Sequence, residues 1–306
     1  MDKKVSTGFT AFDSLLDGGI GYGLYLIGAL PSVGKTTLAL QLVDGMAKQG
    51  HHVLYYTLDN TRKELMGKSL SRLTYDIVVA SGYDRMVAKT ATDILTGSRY
   101  KSYSDLELQV IKAAMDSYYD FGKNIYMYND LPAMSPMAIE EQVIKHMRIK
   151  RQKPMVVVDY MQMVKFDKKA DDKKNVDLVL SQLKAIAKKY SVPVLGISSV
   201  NRENYYNVAR VSALKSSGEN EFFANYVIML EYTGTGQENF DFEKACEENP
   251  SQVDLVLLKN KMGVKQKRIH MLHYLSYSKF IERKDEKVDP AKPVKVESRF
   301  NNLKQY

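Results

Sequence analysis

The chain has 306 residues, 44% of them hydrophobic and 26% charged, which supports one large α/β domain or two small ones and excludes a fibrous or low-complexity protein. The single cysteine, Cys246, excludes an internal disulfide framework, and five histidines without ligand spacing, with no CxxC pair, argue against a structural metal. A net charge of +8 fits a polyanionic partner, while the opening MDKKVSTGFT and apolar runs such as MVVVDYMQMV fit neither a secretion signal nor the ~20 residues of a membrane span; the expected setting is soluble, reducing and cytoplasmic.

In chain order, the first strand is GLYLIGA (23–29). It runs through 29-ALPSVGKT-36 into a helix whose apolar stripe is Leu38, Leu42, Val43 and Met46, with Gly50 as its stop. Strand, turn, then a helix beginning at Lys35 is the setting that a phosphate-binding loop requires. Backbone N–H groups from Ser32 to Thr36 can converge on a β-phosphate, aided by the helix N-terminus. Lys35 can reach the β and γ oxygens, and the Thr36 hydroxyl can hold Mg²⁺. The nucleotide-binding residues expected are therefore Ala29, Pro31, Ser32, Val33, Gly34, Lys35, Thr36 and Thr37. Ala29 stands where the pattern usually has a glycine, and alanine is the least demanding replacement there.

The second strand, HVLYYTL (52–58), leads to Asp59, which reads in two ways. It can position an attacking water, or it can cap the following helix TRKELMGKSLSRL, a task open also to Asn60 and Thr61. Ser104 with Glu107 forms a capping box ahead of Leu106, Val110 and Ala114, and NIYMYN (124–129) is the next strand. Ser135 and Pro136 open a helix carrying Met137, Ile144 and Met147. In PMVVVDY (154–160) four apolar residues end on Asp159, the acid that a phosphate loop needs beside it to hold the Mg²⁺ shell. A helix with Leu180, Leu183, Ala187 and Tyr190 follows, then strands VPVLGIS (192–198) and YVIMLEY (226–232). This alternation implies a mainly parallel sheet with helices on both faces. VDLVLLKNKMGVKQKRIHMLHYL (253–275) reads as an antiparallel hairpin around Gly263 that extends the sheet. From 281 to 306 the chain is charged and proline-containing, and it reads as a mobile or partner-binding tail outside a 1–280 domain. Most of the fifteen methionines occupy core-facing positions, where they fill gaps.

The segments STGFTAFDSLL, ALPSVGKTT, YTLDN, NIYMYNDLPAMSP, VVVDYMQMVK, VPVLGISSVNR, ALKSSGENE and LKNKMG follow one another between about Thr7 and about Phe280. In this order they resemble the C-terminal motor domain of the hexameric replicative helicases of the DnaB family, a RecA-fold ATPase in which alanine at the first loop position is a normal variant. The resemblance implies a three-layer fold, with ATP and Mg²⁺ bound between subunits of a ring. Asp59 takes the place of the family's catalytic glutamate, one methylene shorter, and Ser199 the place of a glutamine that senses the γ-phosphate. Lys259 and Lys261 lie in the segment that reaches the neighbour's ATP. Lys261 stands where an arginine finger is expected, and lysine cannot make the bidentate contact. FFAN (222–225) replaces an acidic stretch.

The resemblance also places the loops after the 154–160 and 192–198 strands on a central channel. There Lys165, Lys168, Lys169, Arg202, Tyr205, Arg210 and Lys215 would bind single-stranded DNA, lysine and arginine neutralising phosphates and tyrosine stacking on bases. Taken alone, the lysine run is a solvated loop partly cancelled by Asp167, Asp171 and Asp172, and the pair Tyr205 and Tyr206 is a packing contact or interface. The expected function is an ATP-driven helicase-like motor on single-stranded DNA, working as a homo-oligomeric ring, a hexamer, with other replication proteins as partners and no membrane. The motor begins within the first ten residues, so the ring would assemble without the family's N-terminal collar. Two alternatives stand beside it: an ATP-binding switch or assembly factor that hydrolyses slowly, and a recombinase-like or circadian-type RecA relative, whose opening segments STGFTAFDSLLDGGI also resembles.

Overall fold

The computed structural model describes residues 4–130, 135–161, 164, 172–200, 210–211, 223–261, 263 and 267–283. Among the described residues nine strands form one sheet: β1 (Gly23–Ala29), β2 (Val53–Thr57), β3 (Ile125–Tyr128), β4 (Met155–Asp159), β5 (Pro193–Ser199), β6 (Tyr226–Tyr232), β7 (Ser251–Asn260), β8 (Lys267–Tyr274) and β9 (Lys279–Glu282). Their order is β3-β2-β4-β5-β1-β6-β7-β8-β9. The first six in that row run parallel and the last three antiparallel. Strands β1, β2, β4 and β6 are buried along their whole length, which is why they read as near-continuous apolar runs rather than alternating ones.

The helices are α1 (Thr10–Leu15), α2 (Lys35–Lys48), α3 (Arg62–Ala80), α4 (Ala91–Leu95), α5 (Asp105–Gly122), α6 (Pro136–Lys150), α7 (Asp172–Tyr190) and α8 (Phe242–Glu247). From β1 through α2 the chain crosses towards the β3 edge, whereas from β4 through α7 it crosses back towards β1. Right-handed crossovers in opposite directions put their helices on opposite faces of the sheet. The packing agrees, since α2, α3 and α5 contact one another and α6 contacts α7. The expected three-layer α/β class is the one observed.

Local signals act as expected at several ends. Gly50, at φ +84°, ends α2 as its N–H donates to Ala47 O while the His51 N–H donates to Met46 O. Ser104 and Glu107 form their capping box on α5. One expectation is corrected. The buried stripe of α6 is Ile139, Val143 and His146, whereas Met137 is 58% and Ile144 45% exposed. Residues 137 and 144 lie on the opposite side of the helix from 139, and only one side can meet the core. At the C-terminus a third antiparallel strand, β9, follows the hairpin. Glu282 is held there because its carboxylate accepts from the Ala11 and Phe12 N–H groups of α1, at 3.1 and 3.0 Å. No described helix is long and apolar enough to cross a membrane.

Candidate nucleotide site

Strands β1, β2, β4 and β5 end side by side, with Ala29 paired to Ser199 and Thr57 to Asp159. Above these carboxyl ends lies a cleft of about 510 Å³. Of the residues expected from the sequence, Pro31, Ser32, Gly34, Lys35, Thr36, Thr37, Asp59, Asp159 and Ser199 line it. Ala29 and Val33 are fully buried, so they belong to the loop through their backbone alone.

The loop is shaped by two left-handed residues, Ser32 at φ +65° and Gly34 at φ +108°, and Gly34 is the N-cap of α2. A side chain on Gly34 would begin 2.7 Å from His273 Cε1 and 2.8 Å from Phe280 Cζ. Strain in φ and steric overlap both oppose Gly34→Ala. We expect it to cost about 1–3 kcal/mol in urea unfolding and to weaken MgADP binding in calorimetry; wild-type stability would contradict this packing. Lys35 Nζ donates to the Leu30 carbonyl at 2.9 Å, within the loop itself.

Asp159 is 2% exposed. The Thr36 hydroxyl donates to its Oδ1 at 3.3 Å and the Tyr55 phenol to its Oδ2 at 2.9 Å. Burial raises its pKa, and the two hydrogen bonds pull it back. Burial and the nearby Asp159 push the Tyr55 phenol well up, which keeps it a donor. A carboxylate and a hydroxyl in hydrogen-bond contact are the oxygen donors that a hard divalent cation takes, so Thr36 and Asp159 fit Mg²⁺.

Asp59 is exposed and free of the capping role, because Thr61 caps α3 in a full capping box with Glu64. The cleft is completed by Lys68, Tyr160, His273, Leu275 and Ser278, none of them singled out from the sequence. Burial lowers the pKa of Lys68, opposed by Asp159, Glu64 and Asp59. One signal was available for His273: along β8 it continues the buried alternation of Ile269 and Met271, a polar residue at a core-facing position. Lys68, one polar residue of an amphipathic helix, carries no such mark.

The family model of the DnaB-like helicase C-terminal domain matches residues 4–282. The chain belongs to this family. The replicative DNA helicase DnaB of Pasteurella multocida is 27% identical over 248 residues, 79% of this chain and 49% of that protein. That of Leifsonia xyli is 26% identical over 287 residues, 91% of this chain and 56% of that protein. The chain thus spans about half the length of these curated relatives. Among solved structures, an isolated ATPase domain superposes with a TM-score of 0.76 at 19% identity, covering 92% of both chains. A DnaB-like replicative helicase described with its primase interactions gives 0.74 at 19% identity, covering 91% of this chain and 62% of that one. These likenesses show the RecA-like helicase ATPase fold.

In this DnaB-like domain Lys259 and Lys261 lie far from the cleft of their own chain. Strand β7 runs against β6, so Asn260 pairs with Tyr226, which pairs with Tyr25 near the start of β1. The phosphate loop leaves β1 four residues later, at Ala29, a rise of about 13 Å before the loop begins. Lys261 is exposed, and its N–H donates to Asn225 O at 3.1 Å. Of the residues expected to bind DNA, Arg210 is exposed; Lys165, Lys168, Lys169, Arg202, Tyr205 and Lys215 lie outside the described residues, as do 284–306 of the tail.

Proposed function

We propose that the chain is an ATP-driven motor that moves on single-stranded DNA as part of a ring of identical subunits, a hexamer, with ATP bound between neighbours. The observation that carries this reading is the separation of two half-sites. The phosphate loop, Thr36, Asp159 and Asp59 share one cleft, whereas Lys259 and Lys261 sit at the opposite end of the sheet. They can act on a nucleotide only if it belongs to another copy.

In this reading Lys35 exchanges the Leu30 carbonyl for the β and γ oxygens of ATP. Thr36 and Asp159 would hold Mg²⁺, which would supply charge neutralisation on the phosphates. Asp59, exposed at the cleft, orients the attacking water and takes its proton, while Ser199 and Lys68 lie within reach of the terminal phosphate. Lys261 of the adjacent copy, with Lys259 beside it, meets the charge that develops on the transferring group. The lysines and tyrosines of the loops that follow β4 and β5 supply the phosphate neutralisation and base stacking that a single strand requires. Family membership supports the DNA assignment, and a DnaB-like relative's described interaction with primase supports a replication protein as a further partner.

Lys261→Ala is the test. Turnover should fall by about 10²-fold or more while MgADP affinity, measured by calorimetry, stays at the wild-type value. Mixing this variant with Lys35→Ala should restore part of the activity, because some interfaces then pair an intact cleft with an intact Lys261. Wild-type turnover in Lys261→Ala would contradict the shared site.

A further inference from the structure

The wall of the cleft that comes from the end of β8 and the turn after it holds His273, Leu275 and Ser278, with no acid or ammonium among them. His273 is 4% exposed. Its ring lies flat on Phe280, centroids 4.0 Å and planes 8° apart. Phe280 is in turn locked to the phosphate-loop helix: Gln41 Nε2 donates to its carbonyl at 2.9 Å, and its N–H donates to Gln41 Oε1 at 2.8 Å. The imidazole therefore has little freedom, and its Cε1–Nδ1 edge lies directly beneath Gly34.

Among the described residues neither ring nitrogen of His273 has a hydrogen-bond partner. Burial, with Lys68 nearby, brings its pKa down to about 4, so at neutral pH the ring is uncharged, with one N–H to donate and one nitrogen to accept. The ring is fixed and its nitrogens have no partner among the described residues, yet they open onto the cleft, so a polar group that enters there can complete them. Phenylalanine would make the same stack on Phe280 but would present no polar edge to the cleft. Packing alone does not account for a histidine here.

We infer that His273 is a nucleotide-contacting residue of this domain, its ring N–H donating to the sugar or α-phosphate portion of the bound nucleotide on the β8 side of Gly34. In the proposed reading the metal and the terminal phosphate would be taken up by Thr36, in the first turn of α2, and by Asp159 and Asp59, at and just after the ends of β4 and β2, on the other side of β1. What remains for the β8 wall is the uncharged part of the ligand and the phosphate next to it. A neutral donor suits both, since it needs no counter-charge in a region without acids. This inference rests on reading the cleft as a nucleotide site.

The experiment is calorimetric titration of MgADP into the whole chain, with melting temperatures recorded in parallel. His273→Phe keeps the stack and removes the N–H; it should melt close to wild type and bind MgADP about tenfold more weakly, the weight of one hydrogen bond to an ionised or strongly polar acceptor. Equal affinity would overturn the inference. If His273→Phe does not fold, His273→Gln and His273→Leu decide, because glutamine retains a donor and leucine does not. Glutamine binding several-fold more tightly than leucine supports the contact, and equal binding overturns it. A wild-type chain that takes up no MgADP would instead overturn the nucleotide assignment of the whole cleft.

Discussion

Replacing Lys35 by alanine is expected to lower ATP turnover by about 10²–10³-fold, because it removes a charged donor aimed at the oxygens where negative charge develops. The fold should survive. Lys35 is half-buried at the first turn of α2, and the loop around it is held by other contacts: Gly34 against His273 and Phe280, and Val33 in the core. Within the protein the change removes a hydrogen bond, from Nζ to the Leu30 carbonyl. Phosphate release assays and a melting curve on the same preparation check both halves of the expectation. Undiminished turnover in Lys35→Ala would place the chemistry elsewhere.

The largest loss of stability is expected from Arg72→Ala. Arg72 is 4% and Asp44 3% exposed, and they join α3 to α2 through Nη2 and Oδ2 at 2.5 Å. The other guanidinium nitrogen, Nη1, donates to the Ser278 carbonyl at 2.6 Å, so the same side chain fixes the cleft wall. Asp44 Oδ1 has no hydrogen-bond partner among the described residues. Alanine would strand a carboxylate in the core and release Ser278, a change worth about 3–5 kcal/mol. Urea unfolding reads it directly. Replacing both partners at once, Arg72→Met with Asp44→Leu, should cost clearly less than the single change, since no lone charge is left behind. A single-variant loss below about 1 kcal/mol would contradict the role given to this pair.

What could be read from the sequence was fixed within a few residues of chain. The phosphate loop needs only a strand, a turn and a helix in succession, and Asp159 only an apolar run ending on an acid. The ambiguity at Asp59 also had a local answer, because Thr61 and Glu64 have the spacing of a capping box, and the box they form leaves Asp59 to the cleft. The stripe of α6 did not have one. Val143 and Ile144 are adjacent and both apolar, so periodicity alone fits either face, and the sheet beneath decides for Ile139 and Val143. His273 and Lys68 depend on approaches across 239 and 91 residues, of His273 to Gly34 and of Lys68 into the electrostatic field of Asp159. No local pattern encodes such meetings. Lys259 and Lys261 were assigned by resemblance, and only the antiparallel course of β7 shows that their own cleft is out of reach.

The most direct test of a DNA-driven motor is the steady-state ATP hydrolysis rate of the purified chain at moderate salt, with and without single-stranded DNA, beside Lys35→Ala. The motor reading predicts a strong rise in turnover on adding the DNA, absent in the variant. Tight MgATP binding with negligible turnover in both conditions would contradict it and leave a nucleotide-dependent switch in its place.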